Sequence, residues 1–166
     1  MAKMLLIALG ANLPDAYGRP ALNTCRWAVQ ELASTPGLAL QAVSRWYRTA
    51  PVPASAQPDY VNGVALLTGE LAPEALLARL HAIEAETGRV RGAANAARVL
   101  DLDLLAADDV VRAGPGLILP HPRLAERAFV LCPLCDVAPD WRHPVLGRTA
   151  AELRDATDRS GVTVLE

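Results

Sequence analysis

"ETGRVRGAANAARVLDLDLL", residues 86–105, ends one element and begins the next. Gly88 closes a helical pattern, an alanine-rich loop follows at 92–97, and from Arg98 onward the residues alternate as a strand does. Three arginines (Arg89, Arg91, Arg98) lead into Asp101 and Asp103, set among leucines. Strand residues two apart share a face, roughly 6.5 Å apart along the chain. The two aspartates therefore share one face, and Leu100, Leu102 and Leu104 take the other, toward a core. Like charges side by side repel, and burial makes the repulsion worse. A divalent cation removes the conflict. Mg²⁺ favours carboxylate oxygens, keeps several waters and shares its site with substrate phosphates. Taken alone, Asp-x-Asp is more simply two solvated aspartates on an exposed strand. The arginines shift that balance, because guanidinium forks fit phosphate oxygens. Arginines, a loop and a carboxylate pair within one short stretch are the parts that phosphoryl transfer uses.

Outward from this stretch, "MLLIALG" (4–10) is short, apolar and stopped by glycine, which predicts a buried strand. Leu22, Cys25, Val29 and Leu32 recur at helical spacing until Pro36-Gly37. "LALQAVSRWYR" (38–48) predicts one strand with a bulge near Ala42-Val43. "TAPVPASAQP" (49–58) is a proline-rich loop long enough to carry function. "DYVNGVALLTG" (59–69) predicts a strand with Tyr60, Asn62, Val64 and Leu66 on one face. "APEALLARLHAIEAETG" (72–88) is the clearest helix, with a Leu76, Leu77, Leu80, Ile83 stripe. The order through residue 106 is β-α-β-β-α-β, which predicts an α+β, ferredoxin-like antiparallel sheet with helices on one face. Beyond it, "DDVVRAGPG" predicts a turn and short hairpin, and "LAERAFVLCPLCDVA" a helix interrupted by Pro133. "TAAELRDA" has a capping-box start, Thr149 to Glu152, and "GVTVLE" is an edge-strand candidate. The expectation is a single domain over 1–166 with a C-terminal helical extension.

Composition narrows the function. At 166 residues, 52% hydrophobic and 20% charged, the chain can bury a core. A net charge of −2 argues against binding nucleic acid by bulk charge. Lys3 is the single lysine and precedes the first strand, so a P-loop is excluded. No apolar run reaches membrane-spanning length. Three cysteines (Cys25, Cys132, Cys135) fit a reducing, cytoplasmic setting. Cys132 and Cys135 form C-x-x-C, but no second pair completes a zinc site, and buried small hydrophobes are the favoured reading. His81 and Glu84 share a helix face. His121 is held rigidly between two prolines, and Phe129 is the chain's single phenylalanine.

"ALGANL", "YRTAPV", "QPDYVN", "LAPEALL", "IEAETGRVR", "RVLDLDLL", "LPHPRLAERAFVLCPL" and "APD" occur in this order across most of residues 5–140. Together they resemble the 6-hydroxymethyl-7,8-dihydropterin pyrophosphokinases of folate biosynthesis. The resemblance implies transfer of pyrophosphate from ATP to the pterin hydroxymethyl group, with release of AMP. It implies that Asp101 and Asp103 bind two Mg²⁺ ions with ATP, and that Arg89 and Arg98 are catalytic on a loop that closes over the phosphates. His81, Glu84, Arg91, His121 and Arg127 would bind ATP. Thr49, Val52, Tyr60, Asn62 and Phe129 would form the pterin pocket, with Phe129 and Tyr60 on opposite faces of the ring. A monomer is expected, with neither nucleic acid nor membrane as partner.

The chain departs from the family pattern in places. The loop "GAANAAR" lacks the tryptophan and Gly-Pro pair common before the last arginine, and "G-A-N" replaces "G-S-N". His81 stands where glutamine is familiar. Three rivals follow: a ferredoxin-like binding module without catalysis, a thiol redox protein using Cys132 and Cys135, and a family member impaired by its altered loop. The last 20 residues match the family only loosely and carry no assigned role.

Overall fold

The computed structural model describes residues 2–50, 58–88 and 99–165. In chain order the elements are β1 (Lys3–Ala11), α1 (Ala21–Ala33), β2 (Leu38–Val43), β3 (Tyr47–Thr49), β4 (Tyr60–Gly69), α2 (Pro73–Glu86), β5 (Asp101–Ala107), β6 (Arg112–Ala113), β7 (Ile118–Leu119), α3 (Ala128–Val137), α4 (Ala150–Asp155) and β8 (Val162–Val164). The main sheet runs β5-β1-β4-β3-β8, with β2 also on β4, and among the described residues all of its pairings are antiparallel. β6 and β7 form the separate hairpin expected after residue 108.

Strand alternation sends alternate residues of β1 to opposite faces. Leu5, Ile7 and Leu9 pack with Cys25, Leu32, Leu76, Leu80 and Ile83, so α1 and α2 cover one face. Leu6, Val64 and Leu105 pack with Leu131 and Leu134, so α3 covers the other, and Leu153 of α4, which packs on α3, joins that cluster. α1 and α2, the two helices expected before residue 106, share one face as expected, and the later helices add a second layer on the other. α3 carries its own apolar residues, which need a sheet face to bury them. A bulge in β5 serves both layers: the register against β1 slips between Leu6 and Ile7, and Leu104 and Leu105 turn to opposite cores.

The single strand expected over 38–48 is two strands, β2 and β3, both on β4. The expected bulge is present, between Leu40 and Ala42. The break has visible causes. Ser44 Oγ accepts the backbone N–H of Val64 at 2.9 Å and donates to the Arg45 carbonyl at 2.7 Å. Trp46 turns inward over Gly63, where a Cβ would lie 2.5 Å from the indole. Asp136 of α3 then holds the outgoing chain, accepting the Arg45 N–H (3.1 Å) and the Tyr47 hydroxyl (2.7 Å). Burial and that bond push the Tyr47 phenol up to about 12.

Pro133 does not interrupt its helix. α3 starts at Ala128 and runs through the buried Pro133, its break falling earlier, between a 3₁₀ turn (Leu124–Glu126) and Ala128. Packing of Val130, Leu131 and Leu134 outweighs the one lost N–H bond. α2 has Pro73 in its first turn, and Gly88, φ 84°, follows its end. A Cβ at Gly88 would meet the Ala16 methyl at 2.6 Å. The Thr149–Glu152 capping box is formed, and β8 pairs with β3 as the last strand.

Two histidines make stability depend on pH. His143 is buried, and its Nδ1 accepts the N–H groups of Val145 (3.2 Å) and Leu146 (3.1 Å). Burial lowers its pKa, and burial also lowers that of His121. The unfolded chain then binds more protons between the folded values and about 6.5. Stability is full above that window and is lost as pH falls through it. The Tm should drop from about pH 7 to about pH 5.5, above the range where carboxylates titrate. His143→Asn, whose side-chain carbonyl can accept the same N–H groups, should flatten the slope. A slope equal to the parent's would rule this out.

Candidate active site

The aspartates come first because β5 fixes them. Asp101 and Asp103 pair with Gly10 and Ala8 of β1, whose minimal side chains leave space on that face. Both carboxylates are half-buried. Gly10 cannot be enlarged freely, since a Cβ there would lie 3.2 Å from Asn62 Oδ1. Leu100, Leu102 and Leu104 are buried in the α1/α2 core, as the alternation predicts.

Two clefts meet at this pair. The first, about 590 Å³, lies between α2, β5 and the segment 113–122, and His81, Glu84, Asp101, Asp103 and His121 line it. The second, about 430 Å³, crosses β1, β4 and β3 under the start of α3, and Asp101, Asp103, Thr49, Tyr60, Asn62 and Phe129 line it. Both carboxylates thus face both spaces.

In the first cleft Glu84 is buried, and its Oε2 accepts the Leu102 N–H at 2.8 Å, between the two aspartates. This carboxylate holds β5 in place. Glu84→Ala would leave that buried donor unpaired and should cost about 1–3 kcal/mol, read as a lower denaturation midpoint. Glu84→Gln, which keeps an acceptor oxygen, should recover most of the loss. His121 is tied to β5 by its N–H on the Leu105 carbonyl at 2.8 Å. Its Nδ1 accepts the Arg123 N–H at 3.2 Å. Burial, with the Arg127 and Arg123 guanidiniums, holds its pKa below the ordinary value, against an opposing pull from Asp101. A neutral ring with Nδ1 accepting carries its proton on Nε2, which makes it a hydrogen-bond donor.

In the second cleft Asn62 Nδ2 donates to Thr49 Oγ1 at 2.8 Å, and both residues are buried. That bond leaves the Asn62 side chain oriented rather than free to rotate. Arg127 also lines this cleft, with its guanidinium carbon 5.6 Å from the Phe129 ring centroid. Phe129 is half-buried, one side against the α3/α4 core. Tyr60 and Phe129 are therefore both wall residues of one space.

Val52, Arg89, Arg91 and Arg98 lie outside the described residues. Sequence reasoning missed the cleft-lining place of Gly10, of the expected hairpin at 113–118 and of the C-terminal Asp158, Gly161 and Val162. The Gly-Pro-Gly turn at 114–116 was a visible signal for the hairpin. Nothing local marks the C-terminal residues, because only the β3–β8 pairing brings them there. Cys132 and Cys135 are free thiols on α3, and burial raises the pKa of both, which lowers thiolate reactivity.

The scaffold is an antiparallel α+β fold in which one aspartate pair lines both a polar cleft and an aromatic-walled one. Residues 6–139 match the family model described as 7,8-dihydro-6-hydroxymethylpterin-pyrophosphokinase (HPPK), and the chain belongs to that family. The 2-amino-4-hydroxy-6-hydroxymethyldihydropteridine pyrophosphokinase of Pseudomonas aeruginosa is 41% identical over 98% of this chain and 96% of its own. That of Synechocystis is 38% identical over 95% and 77%. The solved Plasmodium falciparum HPPK-DHPS superposes with a TM-score of 0.70 over 94% of this chain at 13% identity, a likeness of fold. This chain spans 45% of that protein's length.

Proposed function

We propose that the first cleft holds ATP, that the second holds 6-hydroxymethyl-7,8-dihydropterin, and that Asp101 and Asp103 hold the reacting groups together. The reaction is pyrophosphate transfer in folate biosynthesis: the pterin hydroxymethyl oxygen bonds to the β-phosphorus and gives up its proton to solvent, the bond from that phosphorus to the α–β bridging oxygen breaks, and AMP leaves. The observation that carries the residue assignment is the shared wall, two carboxylates lining both clefts at once.

The donor set suits Mg²⁺. It is all oxygen, and among the described residues no group of three or more metal-type side chains exists. Water and phosphate oxygens would complete the coordination of any ion held there, which is how Mg²⁺ is bound beside nucleotides. Bound Mg²⁺ supplies charge neutralisation on the phosphates. The chain's own residues do the remaining work. Glu84 sets the position of β5. His121 Nε2–H donates toward phosphate oxygen. Arg89 and Arg98 neutralise charge at the transferring group, Arg91 supports the bound nucleotide, and Arg127, which lines the second cleft beside the shared aspartates, reaches the phosphates from that side. Tyr60 and Phe129 hold the flat heterocycle by stacking, and Asn62 and Thr49, with Val52, set its orientation.

The strand order, residues 101–107 beside 3–11 beside 60–69 beside 38–49, supports the ferredoxin-like reading of the sheet, with residues 108–165 added to it as an extension. No helix among the described residues is long and apolar enough to cross a membrane. A monomeric, cytoplasmic enzyme with one domain over 1–166 is the form proposed. Separate titrations test the two-cleft assignment. A non-hydrolysable α,β-methylene ATP with Mg²⁺ and the pterin should each bind once and without competition. Mutual exclusion would contradict it.

A further inference from the structure

The second cleft has a direction. It begins at Asp101 and Asp103 on β5, crosses Gly10 on β1, Asn62 on β4 and Thr49 on β3, and ends against the C-terminal segment. Three strand spacings of about 4.8 Å separate β5 from β3. Val162 of β8 is the register partner of Thr49, so the pairing fixes the preceding turn at that far end. The turn is ordered by its own bonds: the Val162 N–H reaches the Arg159 carbonyl at 3.1 Å, and the Ser160 N–H reaches Asp158 Oδ1 at 3.0 Å. The Ser160 bonds hold the Asp158 carboxyl below its ordinary range. Gly161 adds no side chain to the wall, and a Cβ there would meet nothing within 4 Å.

This inference rests on the assignment of the second cleft to the pterin. The transferring oxygen must lie at the aspartate pair. The opposite end of the ring, the 2-amino-4-oxopyrimidine, then points toward β3 and the segment 158–162. That edge carries the 2-amino group beside the N3–H, two parallel donors. A carboxylate accepts two parallel N–H bonds well, and one already engaged by a backbone N–H keeps further lone pairs. We propose that Asp158 is a substrate-recognition residue that accepts from the donor edge of the aminopyrimidine, at the end of the cleft opposite Asp101 and Asp103.

Full-length Asp158→Asn and Asp158→Ala test it, with pterin Kd and KM set against those of the 2-oxo analogue. Both variants should raise pterin Kd and KM about tenfold, or about 1.4 kcal/mol. The kcat and the KM for ATP should stay within about twofold. Preference for the 2-amino over the 2-oxo compound should fall by the same factor as pterin affinity. Asn keeps an acceptor for the Ser160 N–H, so it preserves the turn. A silent Asp158→Asn beside an impaired Asp158→Ala would reduce Asp158 to a turn residue and overturn the proposal. Unchanged affinity and selectivity in both would do the same. A parent protein that binds no pterin would instead contradict the second-cleft assignment on which the proposal stands.

Discussion

Asp103→Asn should fold like the parent and lose turnover on the order of 10³-fold. Asp103 lies beside Ala8 on the face of β5 that lines both clefts, and its near isostere leaves packing unchanged. The substitution removes one of two like charges set two residues apart on a strand, which does not favour unfolding. The Tm should stay within about 3 °C. The loss should fall on kcat and on dependence upon Mg²⁺ concentration rather than on the pterin Kd, because Asn62, Tyr60 and Phe129 are untouched. Steady-state kinetics across a Mg²⁺ series reads this directly. Turnover within tenfold of the parent would remove Asp103 from the metal site.

Phe129→Ala should weaken pterin binding 10- to 100-fold, about 1.4–2.8 kcal/mol, with ATP affinity within twofold. The ring is half-buried, lines the second cleft only, and does not line the first. Its other side packs on the α3/α4 core, so alanine also costs stability. Phe129→Leu separates the two effects. Leucine restores much of the buried volume but cannot stack, so the Tm should recover while pterin affinity does not. Parallel recovery of both, or equal losses of pterin and ATP affinity in Phe129→Ala, would make Phe129 a packing residue.

Much of this was legible in the sequence because it depends on short-range periodicity. Alternation in "RVLDLDLL" gives the shared face of Asp101 and Asp103 and the buried leucines opposite. The 3.6-residue repeat gives Leu76, Leu80 and Ile83 as buried residues of α2, while Leu77, read as part of the same stripe, is half-buried and lines the first cleft. Thr149 and Glu152 mark their own helix start. What was not legible depends on partners far along the chain. The strand break at Ser44–Trp46 is made by Val64, Gly63 and Asp136. The second helical layer exists because α3 finds a sheet face that β4 completes. Glu84 was readable as a cleft residue, but its bond to the Leu102 N–H, 18 residues on, was not. The C-terminal wall of the second cleft follows from β8 pairing with β3, and no local pattern near Asp158 announces it.

The most direct measurement is product analysis with ATP, with and without 6-hydroxymethyl-7,8-dihydropterin, in Mg²⁺ and then in excess EDTA. The account predicts AMP and the pterin diphosphate in equal amounts, formed when both substrates and Mg²⁺ are present and abolished by EDTA. ADP in place of AMP, or AMP formed at the same rate without the pterin, would contradict it.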